Sequence, residues 1–123
     1  MPYTVVVKLR AKQGALEAVV KAILTNAAAS LALESGCLTF DVLQSAEDPY
    51  DMLLYERYRD EPAFRSDHLT SDHYRAWRAV ADVHIEPGSQ QVSIYRVMPQ
   101  ARYGRPPLRG ASGDERGAPE SDE

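Results

Sequence analysis

Apolar positions along this chain change their period several times, and each change marks an element. Tyr3 to Arg10 holds the β-branched run Thr4, Val5, Val6 and Val7, which predicts a strand buried on at least one face, and Gln13 and Gly14 break it. From Ala15 to Glu34 the residues Leu16, Val19, Val20, Ile23, Ala27 and Leu31 recur at helical steps, so an amphipathic helix is expected, with Gly36 as a left-handed stop. Leu38, Phe40 and Val42 then alternate with Thr39 and Asp41, and the acidic SAEDPYD turns the chain into another strand over Met52 to Arg59. These strands should pair as a hairpin. Asp60, Glu61 and Pro62 predict the start of a short helix ending near His68, and Ser71 can cap the next one. That helix carries His73, Trp77, Val80 and Ala81 on one face and stops before Pro87 and Gly88, leaving Gln91 to Met98 as the last strand.

The order β-α-β-β-α-β, its second helix broken, predicts a ferredoxin-like α+β fold with an antiparallel sheet and helices on one face. About eight strand residues would then face away from the helices, because side chains alternate along a strand. A second copy packing sheet to sheet is the economical cover, so a homodimer is expected. From Pro99 the chain is rich in Pro, Gly and Ser and nearly empty of large apolar residues. Residues 1–98 are therefore expected to form the folded domain, and 99–123 a disordered polar tail.

At 123 residues there is room for one core. The formal charge is −4 with basic residues scattered, so the footprint of a nucleic-acid binder is missing. No leader pattern opens the chain and no apolar run approaches ~18 residues, which points to the cytoplasm and away from a membrane. A lone cysteine, Cys37, offers neither a disulfide nor a thiolate metal site, and small hydrophobic packing is its expected role.

Polar residues at core positions carry the chemical information. Asn26 and Ser30, one helical turn apart, project near the Val19, Ile23 and Ala27 stripe and should face the sheet. Glu56 shares a strand face with Leu54 and Tyr58, while His68 and His73 bracket the helix junction. A buried carboxylate beside an imidazole fixes its tautomer and raises its basicity, as general acid/base chemistry near neutral pH requires. Ordinary hydrogen-bonded core histidines are the competing reading. A metal ion is not expected: His68, His73, His84 and Glu56 are possible ligands, but the five-residue spacing of His68 and His73 does not put both on one helix face. Tyr55, Tyr58, Tyr74 and Trp77 could stack on a planar substrate or simply fill the core. No phosphate loop, nucleophile elbow, flavin or nicotinamide fingerprint appears, so no cofactor is expected.

ESGCLTFDVLQ (34–44), LLYERYRDEPAF (53–64) and HLTSDHYRAW (68–77) together resemble the antibiotic biosynthesis monooxygenase superfamily, with Glu34, Gly36, Tyr55, Glu56, Tyr58, His68 and His73 at its motif positions. The resemblance spans Tyr3 to Met98. It implies a dimeric α+β barrel and, as in some members, cofactor-free oxygenation of a small quinol-like or enolisable aromatic substrate by molecular oxygen. His73 or His68 would be the base, Glu56 would orient it, and Asn26, Ser30, Tyr58, Tyr74 and Trp77 would bind the substrate. FDVLQ, YERYRDE and the closing V-M-P also resemble the isomerases of phosphorylated autoinducer-2, although Tyr3 stands where those carry a histidine. That alternative implies a carbonyl isomerase using the same base, for which Lys8, Arg57 and Arg65 are the nearest expected cations. A third alternative is a dimer that binds a small ligand without catalysis.

Overall fold

The computed structural model describes residues 2–98. The expected tail therefore lies outside the described residues. The elements are β1 (Tyr3–Arg10), α1 (Leu16–Leu33), β2 (Cys37–Gln44), β3 (Asp51–Tyr58), a π-helix (Ala63–His68), α2 (Asp72–His84) and β4 (Gln91–Arg96). The sheet is antiparallel in the order β2-β3-β1-β4, which is the α+β arrangement the periodicity predicts.

Register decides which side chains meet. β1 pairs Val5 with Glu56 and Val7 with Leu54, and β2 sets Phe40 against the same Glu56. Alternation then turns Val5, Val7, Leu9, Phe40, Met52, Leu54, Glu56 and Tyr58 toward the helices, and all are buried. From above, α1 contributes Val19, Ile23 and Ala27, α2 contributes Trp77 and Ala81, and the π-helix contributes Ala63 and Phe64. α1 is 18 residues long with a mean hydropathy of 1.5, enough to cross a membrane by length and composition, yet here its apolar stripe lies on the sheet.

Three details depart from expectation. Leu31 is exposed, because the buried stripe of α1 runs through Val19, Ile23, Asn26, Ala27 and Ser30. Leu31 sits roughly 80° around the helix from Ile23 at 3.6 residues per turn, on the fringe of that stripe. Gly36 is not a left-handed stop: among the described residues the positive-φ glycines are Gly14 and Gly88. The reason for a glycine at 36 is space, since a Cβ there would lie 2.6 Å from the Cβ of Ala63. The short helix before His68 is π rather than α, closed by Leu69 N–H donating to Phe64 O at 3.0 Å.

The face of the sheet turned away from the helices has no cover within the described residues. Val6, Leu53 and Tyr55 are half-buried there, Leu43 and Tyr95 are exposed, and Arg57 Nε is buried without an acceptor.

Gly36→Ala is expected to destabilise the domain by about 1–3 kcal/mol through overpacking against Ala63, measured as a lower urea midpoint with an unchanged slope. Ala63→Gly in the same chain should recover part of that loss.

Candidate functional site

Three elements converge on one carboxyl group. Glu34 is the residue at which α1 ends, in an extended conformation, with its N–H donating to Ser30 O. Its side chain is turned under the helix junction and is nearly buried. There Oε2 lies 2.9 Å from His68 Nδ1 and within hydrogen-bond reach of His73 Nε2, an acceptor position that selects the tautomer in which each ring donates from the nitrogen facing it. His68 closes the π-helix and is 2% exposed; His73 lies in the first turn of α2, which Ser71 caps by accepting from Tyr74 N–H at 3.1 Å. Ser30 Oγ donates to Asn26 O at 2.8 Å and lies 3.4 Å from His68 Nδ1. Desolvation lowers the pKa of His68, and hydrogen bonding to Glu34 only partly opposes it, so this imidazole is neutral at neutral pH.

Glu56 does not orient either histidine, contrary to expectation. Tyr58 and Glu56 lie on the same strand face two positions apart, and the phenol donates to Glu56 Oε1 at 2.6 Å. Burial pushes the Glu56 pKa up to about 7, the Tyr58 bond opposing this and the charge of Glu34 adding to it. Burial also drives the Tyr58 phenol far above its ordinary range. The same effect pushes the Cys37 thiol up to about 12, which leaves it inert and consistent with packing.

A small cavity of about 40 Å³ lies between sheet and helices, lined by Asn26, Phe40, Glu56, Phe64, His68, Tyr74, Trp77 and Arg78 among others. A groove of about 360 Å³ runs between α1 and α2, lined by Lys21, Thr25, Asn26, His73, Trp77 and His84 among others. Of the expected binding residues, Asn26, Tyr74 and Trp77 line the cavity, whereas Tyr58 and Ser30 are wholly buried behind it. Lys8, Arg57 and Arg65 are not at the cavity. Lys8 and Arg57 border other surface clefts, and Arg65 pairs with Glu61 at the surface. The cation that does line it is Arg78, held by Gln90 at 3.1 Å and Asp82 at 2.7 Å.

Glu34, His68 and His73 bring ligand atoms within 4.8 Å of one another and could gather around a divalent cation; His84 and Glu56 are not in that group. Two ring N–H groups on one carboxyl oxygen are equally an arrangement for holding and passing a proton.

A family model described as antibiotic biosynthesis monooxygenase matches residues 2–80. The chain belongs to this family. A solved structure from Nitrosomonas europaea, titled as a candidate antibiotic biosynthesis monooxygenase, is 32% identical and aligns with 78% of this chain and 98% of its own at a TM-score of 0.71. Rv0793 from Mycobacterium tuberculosis is 25% identical over 82% of this chain and 99% of its own, with a TM-score of 0.70. PA3566 from Pseudomonas aeruginosa, at 23% identity, 79% and 95% coverage and a TM-score of 0.70, shares the fold. No match to a curated protein was found.

For this antibiotic biosynthesis monooxygenase family member, sequence reasoning set Glu34 at a motif position without giving it a role at the site, and missed Arg78. The signal for Glu34 was its position after the buried pair Asn26 and Ser30, four residues beyond Ser30 on the same helix face. For Arg78 it was the four-residue step from Tyr74.

The raised Glu56 pKa has a consequence for stability. Between 4.5 and about 7 the folded chain keeps a proton that the unfolded chain has released, so stability falls as pH rises through that window and then levels off. The shift from 4.5 to about 7 corresponds to roughly 3 kcal/mol. Glu56→Gln is expected to gain about 2–3 kcal/mol at pH 8 and almost nothing near pH 4.5, read from urea unfolding at the two pH values.

Proposed function

We propose that this chain is a monooxygenase of a small quinol-like or enolisable aromatic substrate that works by general-base deprotonation and direct reaction of the substrate anion with molecular oxygen. The observation that carries this reading is the neutral His68, hydrogen-bonded to Glu34, on the wall of a cavity that also holds a Glu56 protonated near neutrality. With Nδ1–H donating to Glu34, His68 keeps Nε2 as a proton acceptor. His68 takes the substrate proton, the carbanion or enolate reduces oxygen, and a carbon-bound hydroperoxide forms. Loss of water from that hydroperoxide leaves one oxygen atom on the substrate carbon, now a carbonyl. The substrate supplies all the electrons, and one oxygen atom leaves as water. Glu56 donates to the developing oxyanion, Asn26 and Tyr74 hold the substrate oxygen, and His73 steadies Glu34 from the groove side. The family assignment supports monooxygenase-type chemistry, and no cofactor is invoked by this reading.

A second reading, ligand binding without turnover, is favoured by where the space lies: the groove of about 360 Å³ takes a ligand away from His68 and Glu56, whereas the cavity beside them, about 40 Å³, has to open before a ring can enter, about 150 Å³ being the size known to take benzene.

We also propose a homodimer, supported by the uncovered sheet face with Val6, Leu53 and Tyr55 and by the stranded Arg57 Nε. A cytoplasmic setting suits the buried, unpaired Cys37.

Oxygen uptake with a panel of quinols, in air and under argon, tests the activity. His68→Ala should lower kcat by about 10²-fold or more. The rate should fall on the acid side as His68 gains its proton, below its ordinary 6.5, and on the alkaline side above about 7 as Glu56 loses its own. Glu56→Gln should remove the alkaline limb. Unchanged uptake in His68→Ala, or ligand binding with no uptake by the parent chain, would sink the oxygenase in favour of the second reading. For the dimer, Tyr55→Glu should turn a particle of two-chain mass into one of single-chain mass in sedimentation equilibrium.

A further inference from the structure

Glu34 Oε1 is buried and has no hydrogen-bond partner among the described residues, although its sister oxygen Oε2 has two. A carboxyl oxygen without a donor is costly in a dry interior, and a cation is a partner that would relieve it. Two ring nitrogens stand beside the same group: Glu34 Oε2, His68 Nδ1 and His73 Nε2 all lie within 4.8 Å of one another. The 2.9 Å from His68 Nδ1 to Oε2 is already the spacing of neighbouring ligands around one ion, which are about 2.9–3.4 Å apart when each bond is about 2.0–2.1 Å. The five-residue step from His68 to His73 argues only against a pair on one helix. Here His68 closes the π-helix, His73 opens α2, and the end of α1 supplies the third ligand. Phe40, Tyr58, Phe64 and Tyr74 surround the His68 ring at centroid distances between 5.2 and 6.0 Å and hold its plane. His73 is the more exposed ring and lines the groove between α1 and α2, which gives an ion its way in.

We propose that Glu34, His68 and His73 form a binding site for one Zn²⁺ ion, entered from the groove between α1 and α2. Two imidazoles and a carboxylate suit a late first-row divalent ion, whereas Mg²⁺ and Ca²⁺ take oxygen ligands. Three protein ligands leave the ion a further position for water. Binding relocates one hydrogen within each neutral ring and needs no other reactant. With Nδ1 on the ion, His68 carries its hydrogen on Nε2, and with Nε2 on the ion, His73 carries its own on Nδ1. His68 Nε2 is the atom that takes the substrate proton in the reaction proposed above, so the occupied site is an off-state without a free base. That consequence rests on the oxygenase reading, whereas the metal site rests on the three ligand atoms and the stranded Oε1.

The full-length protein, stripped with a chelator and dialysed, would be titrated with Zn²⁺ by calorimetry and with Co²⁺ by visible absorption. One ion per chain is expected, with a ligand-field band for Co²⁺ and no displacement by a roughly hundredfold excess of Mg²⁺. His73→Ala and Glu34→Gln should each weaken Zn²⁺ binding by about 100-fold or more, and His84→Ala should leave it unchanged. With three histidines in the chain, the long-range ¹H–¹⁵N spectrum of the rings reads each tautomer. Zn²⁺ should move the hydrogen of His68 to Nε2 and that of His73 to Nδ1, and leave His84 as it was. No binding at one ion per chain, displacement by Mg²⁺, binding that survives His73→Ala, or unchanged tautomers with the ion bound would each overturn the proposal. Stoichiometry and tautomers in the parent protein decide the matter even if the variants do not fold. In the quinol assay Zn²⁺ should abolish oxygen uptake and a chelator should restore it; uptake that persists at full occupancy would overturn the off-state. A metal-free chain that consumes no oxygen, yet shows the expected tautomer changes with Zn²⁺, would overturn the oxygenase and leave the metal site standing.

Discussion

One carboxyl oxygen of Glu34 fixes the geometry on which the site depends. It is supplied by the end of α1 and received by imidazoles from the π-helix and from α2, so the end of α1 is tied at a single atom to a helix junction 34 to 39 residues further along the chain. Because the group is nearly buried, water cannot replace either imidazole, and losing one partner would leave a polar group stranded. The π-helical register belongs to the same constraint. It places Ala63 and Phe64 in the core and His68 at the junction within six residues. Gly36, two residues after Glu34, gives the room in which Ala63 can sit. The start of β2, the π-helix and the end of α1 are therefore positioned together.

Periodicity made most of the fold legible. Alternating apolar residues in Leu38, Phe40 and Val42, and the three-and-four spacing in α1, report burial on one face, which is a property of the chain's own geometry. It also placed Asn26, Ser30, Glu56 and His68 in the interior, because a polar residue within an apolar stripe is buried with it. Partner choice was less legible. Glu56 and the histidines share an interior, but whether Glu56 meets an imidazole depends on the distance from β3 to the helix junction, and Tyr58, two residues along its own strand face, reaches it at 2.6 Å. Glu34 lies at a helix end, where a charged residue ordinarily faces solvent, so its inward turn belongs to the tertiary packing. The role of Gly36 was hidden for the same reason, since a steric contact with Ala63 leaves no periodic trace.

The interior divides its polar groups into two sets with opposite leanings. On the helix side, Glu34 is met by two ring donors, and burial keeps His68 neutral and ready to accept a proton. On the sheet side, Glu56 has one phenol as its partner and holds its proton up to about 7. The environments are built from different residues: ring nitrogens around one acid, and aromatic and aliphatic side chains around the other. Two acids of similar intrinsic strength are thereby placed in different roles, one to support a base and one to act as a donor.

That division has a thermodynamic direction. Above about pH 7 the fold must hold an ionised Glu56 in a site that disfavours it, and below the ordinary histidine range it must hold a protonated His68 in another. Glu56 lowers stability as pH rises from 4.5 to about 7 and His68 lowers it as pH falls below 6.5, so where the two effects overlap their slopes oppose each other and stability changes little with pH. Just below about 7 the base is free and the donor still has its proton. Burial, which disfavours both charged forms, is thus the single cause of the stability profile and of the readiness for proton transfer, and a substitution that relieves one of them also alters the other.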